Sequence, residues 1–333
     1  RPSHCLPPYS PMSRESAFID RLRSLATDPA ARGLLDDAAV LSPPPGALVL
    51  THDMLVEGVH FLSTDPAGDV AWKLLAVNLS DLAAKGARPL GALIGFGMSG
   101  EAEWDADFAR GLEQALAHFG LPLLGGDTVT MPPGGPRTLG LTAIGAAPPG
   151  GAPDRRGARA GDLLFATGTF GDAGLGLALL LGQEQASGAT RDRLVDAYRR
   201  PMPLLALGPG LAPLISASAD VSDGLLIDAG RIARASGLTL TIDLARVPLS
   251  RAYVDVRGDS TASRLAATTA GDDYQLLFTA PPEREREIDA VAARHGVPLT
   301  RIGRCAAGEP GLALEQDGAP LPLPARLGYE HEG

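Results

Sequence analysis

Aspartates in this chain recur beside apolar runs, where a strand would end or a helix begin. They stand at Asp36 and Asp37 in GLLDDAAVL, at Asp53 in LTHDML, and at Asp127 in LLGGDT. Two further clusters are Asp220 and Asp223 in ADVSDGL, and Asp272 and Asp273 in AGDDYQLLF. Asp81 adds a sixth position inside WKLLAVNLSDLAAKGAR. Taken singly, each acid has another reading as a cap or turn residue. Ser222 and Asp223 could cap the helix that follows them, and Asp36 and Asp37 could be solvated turn carboxylates. Taken together, with no basic clusters to balance them, they form an all-oxygen donor set, which selects Mg2+ or Ca2+ over zinc or copper. Mg2+ uses one or two protein carboxylates and takes its other oxygens from water and substrate phosphates. Several acids therefore imply several ions around a polyphosphate. The chemistry that follows is phosphoryl transfer by positioning and charge neutralisation, without a covalent enzyme intermediate.

The elements that must carry these acids can be read from spacing. Leu48 to Leu50 reads as a short buried strand, with Asp53 where the chain leaves the core, and Asp53, Glu57 and His60 fall within eight residues. A helical pattern runs from Asp69 through Trp72, Leu75, Leu79 and Leu82, with Asn78 and Asp81 on one face. Asp81 in so apolar a helix is costly unless a cation or hydrogen-bond donors meet it. Ser13 to Leu25 reads as a short amphipathic helix, Leu90 to Met98 as a glycine-rich strand, and Glu103 to Phe119 as a helix closed by Gly120. Leu121 to Leu124 reads as a strand before Gly125 and Gly126, which would let the backbone approach a ligand. Thr138 to Ala146 completes one α/β layer.

Pro148 to Ala160 is rich in Pro, Gly and Arg and is the candidate boundary. Residues 12–147 are thus expected to form an N-terminal α/β domain and residues 148–333 a C-terminal α+β domain. Beyond the boundary, Asp162 to Thr167 reads as a strand, Gly168 to Gly174 as a turn, and Leu175 to Leu181 as a helix. That turn has a phosphate-friendly shape, although a plain tight connection fits it equally, and no GxxxxGK[ST] loop exists in the chain. Leu205 to Ser216 and Leu225 to Ala235 read as helices, Leu238 to Leu244 as a strand, and Glu283 to His295 as a charged surface helix. The acids of GDDY feed a strand that reaches Thr279.

Composition narrows the function classes. A net charge of −10 with no basic stripe argues against nucleic acid as the main partner. The two cysteines, Cys5 and Cys305, lie near opposite ends without CxxC spacing, which argues against zinc and a disulfide framework and makes a reducing cytoplasm the default location. No apolar run approaches the roughly 18 residues of a membrane span. Residues 1–11 are pattern-free and Pro-rich, and are expected to be vector or upstream-frame residues before a native start at Met12.

The runs LLDDAAVL, THDMLVEGVHF, WKLLAVNLSDLAAKGARP, GGDT, DVSDGL and GDDYQLLFT, in this order and spacing, resemble the thiamine-monophosphate kinase family. That family sits among the aminoimidazole-ribonucleotide-synthetase-like (PurM-like) ATP-dependent enzymes, and the resemblance covers essentially Ser13 to Tyr329. It implies a two-domain architecture: an α/β N-terminal domain whose sheet contributes to a barrel in a homodimer, and an α+β C-terminal domain. ATP would lie between them and thiamine monophosphate would accept its γ-phosphoryl group. By motif, Asp36, Asp37, Thr51, His52, Asp53, Asp81, Asp127, Asp220 and Asp223 resemble the ligands of several Mg2+ ions. Gly126, Asp127, Arg155 and Ser222 resemble ATP contacts, and His60, Asp272 and Tyr329 resemble contacts to the thiamine phosphate.

Three positions depart from the family pattern. Leu35 stands where Gly commonly precedes the paired acids, His52 where a hydroxyl residue is usual, and Asp272 where the family carries the longer Glu. Two other readings stay open from the residues alone. One is a related ATP-dependent enzyme such as a selenophosphate synthetase, although neither Cys5 nor Lys73 nor Lys85 sits in the glycine-rich N-terminal segment that enzyme uses. The other is a non-catalytic divalent-cation or nucleotide-binding protein.

Overall fold

The computed structural model describes residues 14–330 and builds two sheets on either side of one buried helix. The expected tail at residues 1–11 and the start at Met12 lie outside the described residues. Helix α1 spans Arg14–Leu25, and a 3-10 turn at Pro29–Leu34 precedes strand β1 (Leu48–Val56). Helix α2 (Ala67–Ala84), β2 (Arg88–Met98), α3 (Ala102–Phe119), β3 (Leu123–Thr130) and β4 (Thr138–Ala146) follow. The four strands pair in the order β1-β4-β2-β3, antiparallel except for β2 with β3, which α3 joins as a βαβ crossover.

Residues 147–162 hold no helix or strand and lead to the second sheet. Its elements are β5 (Leu163–Thr167), α4 (Asp172–Leu180), α5 (Gly188–Arg199), α6 (Gly208–Leu211), β6 (Ala217–Asp220), α7 (Leu225–Ser236) and β7 (Thr239–Asp243). Helices α8 (Arg251–Arg257) and α9 (Thr261–Thr269), β8 (Leu276–Ala280), α10 (Glu285–Arg294), β9 (Leu299–Ala306), β10 (Gly311–Gln316) and β11 (Ala319–Leu321) complete the chain. Seven strands pair as β11-β10-β7-β9-β5-β8-β6, all antiparallel except β7 with β10. The expected mixture of α/β and α+β layers is what the chain forms.

Helix α2 explains the arrangement. Its Ala and Leu residues favour a helix, and its apolar residues run nearly all round it, so the helix has no face to offer water. It packs on α3, β1 and β4 on one side and on β6 and β8 on the other, and is buried over nearly its whole length. Helix α3 covers the same sheet through Phe108, Leu112, Ala115 and Leu116, and Gly120 closes it at φ 61°. The two helices cross with backbones in contact: a Cβ on Gly111 would stand 2.3 Å from Cα of Gly68. Gly111→Ala must therefore push α3 off α2. It is expected to destabilise the protein by about 1–3 kcal/mol, as overpacking does, read as a lower thermal midpoint in calorimetry. A variant as stable as the wild type would refute that contact.

Several readings shift. Asp53 and Asp127 do not mark strand exits: each lies inside its strand, since β1 continues to Val56 and β3 to Thr130. Only Gly208–Leu211 of the expected helix over residues 205–216 is helical, because Pro213 removes a donor and blocks continuation. Helix α4 begins at Asp172, ahead of the Leu175 expected for it.

Candidate functional site

A cleft of about 1000 Å³ opens where β1 and α2 face α4, the end of β6, the loop before β8 and the C-terminal tail. Asp53, His60, Asp81, Asp220, Ser222, Asp223, Asp272 and Tyr329 all line it, although they come from widely separated parts of the chain.

The carboxylates are placed by ordinary hydrogen bonding. Asn78 is fully buried on α2, and its Oδ1 accepts the backbone N–H of Asp53 at 3.0 Å while its Nδ2 donates to the carbonyl of Leu74 at 2.9 Å. One turn on, Asp81 faces the same strand, and Thr51 donates its hydroxyl to Asp81 Oδ2. Burial, and then the neighbouring Asp81, push the Asp53 carboxyl up to about 6; Asp223 adds to this and His52 opposes it. Asp220 closes β6 in a buried position, and its carboxyl lies well above the ordinary range through burial and then Asp81. Lys85, from the last turn of the same region, donates Nζ to the carbonyl of Ser218 at 2.8 Å. Its ammonium is depressed by burial first and by Arg155 next, against the pull of Asp220 and Asp81. Arg155, itself exposed, therefore stands near this end of the cleft.

Ser222 and Asp223 do not cap α7. The helix follows Gly224, at φ 132°, and no side chain caps it. The buried Asp228 does the holding: its Oδ2 accepts the backbone N–H groups of Ser222 at 3.1 Å and Asp223 at 3.2 Å, and its Oδ1 accepts from Arg231 at 2.6 Å. Arg231 also pairs with Asp223 at 2.6 Å. The C-terminal tail is laid over this loop by a bond from the Tyr329 N–H to the Asp223 carbonyl at 2.8 Å.

At the opposite end, Asp272 and Tyr274 have φ of +70° and +48°, strained for residues with side chains. Asp272 Oδ2 accepts from Lys73 Nζ at 2.8 Å and Oδ1 from the Tyr274 hydroxyl at 3.1 Å. Asp273 is turned away and structural: both its oxygens accept the Gly171 N–H at 3.0 Å. The glycine-rich turn thus spends on its own protein an N–H that a phosphate would need.

The remaining expected residues lie elsewhere. Asp36 and Asp37 are exposed; Asp36 pairs with Arg32, whose guanidinium holds its carboxyl below the ordinary range, and accepts the Asp37 N–H at 2.8 Å. The strand register puts His52, Thr142, Leu93 and Asp127 on the sheet face away from α2, and His52 Nδ1 lies 2.9 Å from Thr142 Oγ1. Gly126 has a cause other than ligand approach, since a Cβ there would stand 2.0 Å from the carbonyl oxygen of Ile94 on β2. Lys73, Tyr198 and Arg231 carry no site assignment in the sequence reading, and neither does Asp228, although it stands five residues beyond Asp223. For Lys73 the signal was present: a lysine inside an apolar helix needs a partner by the same reasoning applied to Asp81.

Among the described residues, no three Asp, Glu, His or Cys side chains form a ready cage for a metal ion. Asp53, Asp81 and Asp220 nevertheless suit a hard divalent cation. They offer only oxygen, burial strips the Asp53 and Asp220 carboxyls of water, and they repel one another, which a shared cation relieves. Mg2+ needs only one or two such ligands when a substrate brings phosphate oxygens.

Residues 35–147 match the family model for the AIR synthase related protein N-terminal domain, and residues 159–313 that for the C-terminal domain. A thiamine-monophosphate kinase of Caulobacter vibrioides is 42% identical over 311 residues, spanning 91% of this chain and 86% of the relative. The crystal structure of a thiamine-monophosphate kinase from Stenotrophomonas maltophilia K279a is similar at a TM-score of 0.81 and 36% identity, over 93% of this chain and 97% of that one. AaThiL complexed with AMPPCP and TMP is similar at a TM-score of 0.72 and 30% identity, over 85% of this chain and 89% of that one.

Proposed function

This chain belongs to the AIR synthase related proteins and, within them, to the thiamine-monophosphate kinases, and from that premise we propose how its cleft transfers a phosphoryl group. The enzyme phosphorylates thiamine monophosphate with ATP as co-substrate. The observation that carries the assignment of the site is the meeting of Asp53, Asp81, Asp220 and Asp223 in one cleft from three separate segments.

In this reading the nucleotide phosphates lie toward Asp220, Ser222 and Asp223, with Arg155 and Lys85 at that end. Thiamine monophosphate lies toward His60, Tyr198, Asp272 and Tyr329. Asp53, Asp81 and Asp220 are the residues that would hold Mg2+, which when bound would supply charge neutralisation for the phosphates, and Thr51 orients Asp81 by its hydrogen bond. The acceptor is already an anion at neutral pH, so the protein supplies no general base. Its residues align donor and acceptor for direct in-line transfer and hold apart the charges that would repel them.

The open face of the four-stranded sheet carries exposed Leu50, Met54, Leu93 and Val129 beside His52 and Asp127. A homodimer formed through this face would cover that apolar patch. A soluble biosynthetic role in the cytoplasm fits the chain, in which no described helix is long and apolar enough to cross a membrane. The two-domain division at residues 12–147 and 148–333 belongs to the same reading.

The test is ADP release measured with thiamine monophosphate, with thiamine, and with no acceptor, each with Mg2+ and with chelator. Release is expected only with thiamine monophosphate and Mg2+. Equal release without acceptor would reduce the protein to an ATPase, and release with thiamine alone would overturn the acceptor assignment.

A further inference from the structure

We propose that Lys73 is a positioning residue for the acceptor: its ammonium fixes Asp272, His60 and Tyr198 in the arrangement that receives the thiamine moiety. The inference rests on the placement of thiamine monophosphate at that end of the cleft.

Lys73 is buried in α2, with its side chain 3% exposed, and an unpaired ammonium there would be strongly unfavourable. Its Nζ meets groups from three distant segments. It donates to Asp272 Oδ2 at 2.8 Å and to the His60 carbonyl at 3.1 Å, and it stands 3.9 Å from the centroid of the Tyr198 ring. All three of these residues line the cleft. Asp272 is the exposed partner of the pair, its side chain 31% accessible. Because Lys73 holds Oδ2 and the Tyr274 hydroxyl holds Oδ1, the carboxylate is fixed in orientation while its edge faces the cleft.

The backbone beneath it needs such a restraint. Asp272 and Tyr274 are both left-handed, a conformation that persists only when surrounding contacts enforce it. The N–H groups of Asp272 and Tyr274 donate to the carbonyls of Ser222 and Val221 at 2.8 Å, and Lys73 is the side chain that reaches the loop from the other sheet's layer. The acceptor carries a cationic thiazolium ring and an aminopyrimidine, so a carboxylate and an aromatic ring held in fixed positions are what it would be recognised by. None of these Lys73 contacts involves Asp53, Asp220 or Asp223, so the effect should fall on one substrate. Lys85, the chain's other lysine, stands at the nucleotide end.

Steady-state kinetics on Lys73→Met, Lys73→Arg, Asp272→Asn and Lys73→Met with Asp272→Asn test this, alongside thermal midpoints. Lys73→Met is expected to raise KM for thiamine monophosphate about tenfold or more with KM for ATP within about twofold. Lys73→Arg, which keeps the cation, should recover part of the loss, and the double variant should lose less than the two single losses combined, because part of the Lys73 effect runs through Asp272. An unchanged KM for thiamine monophosphate overturns the proposal. So does a joint rise of both KM values with a lower midpoint and no recovery by arginine, which is the pattern of a purely structural lysine. Should Lys73→Met not fold, dissociation constants of thiamine monophosphate and AMPPCP for Lys73→Gln take its place with the same two outcomes. A wild type unable to phosphorylate thiamine monophosphate would sink the functional reading itself. A competent wild type with an unselective Lys73→Met sinks only the role of Lys73.

Discussion

Asp53→Asn is expected to lower kcat by at least about a thousandfold, roughly 4 kcal/mol of transition-state stabilisation, while leaving the protein folded. Asp81→Asn should lower it comparably. The two carboxylates face each other across β1 and α2, and in a reaction with no covalent step, charge neutralisation is most of what the protein contributes. The stability prediction runs the opposite way. The Asp53 carboxyl sits at about 6 in the folded protein against 3.8 ordinarily, so the folded state binds its proton more tightly than the unfolded state does. A raised acid contributes its stability below pH 4, and that contribution is lost as pH climbs through 6. Near pH 8 the ionised side chain costs on the order of 3 kcal/mol in metal-free protein. Asparagine removes that cost. In chelator at pH 8 the variant should therefore melt at or above the wild type, with the advantage gone near pH 4. Added Mg2+ should raise the wild-type midpoint more than the variant's. Calorimetry across pH 4–8 with and without Mg2+, beside kcat at saturating Mg2+, checks both halves. A variant retaining kcat within tenfold, or one that unfolds, would refute this account of Asp53.

Much of this was legible because local pattern and tertiary need coincide. The α2 periodicity placed Asn78 and Asp81 on one face, and that face meets β1. The strands Leu90 to Met98 and Thr138 to Ala146 appear nearly where alternation and glycine spacing put them. What misled was the assumption that an acid marks the end of a strand. Asp53 is tolerated in mid-strand because α2 supplies Asn78 to the backbone and leaves an open cleft for the side chain, and neither fact is local. Ser222 and Asp223 admit both a cap and a ligand reading because capping residues and cation ligands are the same residue types, and nothing local shows that Asp228 reaches back to hold both N–H groups. The side of the sheet on which His52 and Asp127 emerge depends on register with β4 and β2, which no single strand encodes. Lys73 gains its role as a buried charge in need of a partner, and that partner, Asp272, lies 199 residues away, beyond the reach of any local pattern.

Asp228→Ala should behave as the converse of Asp53→Asn. Asp53 is half-buried and Asp228 buried beside the cleft, and both have raised carboxyls, yet their surroundings differ in kind. Asp53 faces other acids. Asp228 faces donors: two backbone N–H groups of the Ser222–Asp223 loop and the Arg231 guanidinium. Truncating it leaves those N–H groups and part of a partly buried cation without an acceptor, which costs about 3–5 kcal/mol when a buried pair is broken from one side. A thermal midpoint several degrees below wild type is expected at neutral pH, with or without Mg2+. With the nucleotide placed as proposed, the loop would also lose the anchor of Ser222 and Asp223, so KM for ATP should rise more than KM for thiamine monophosphate, the reverse of the Lys73 pattern. Asp228→Asn, which keeps one acceptor oxygen but sets an NH2 group against a donor, should fall between the two. If Asp228→Ala proves as stable as the wild type, or raises KM for the acceptor alone, the loop is held by something other than this carboxylate.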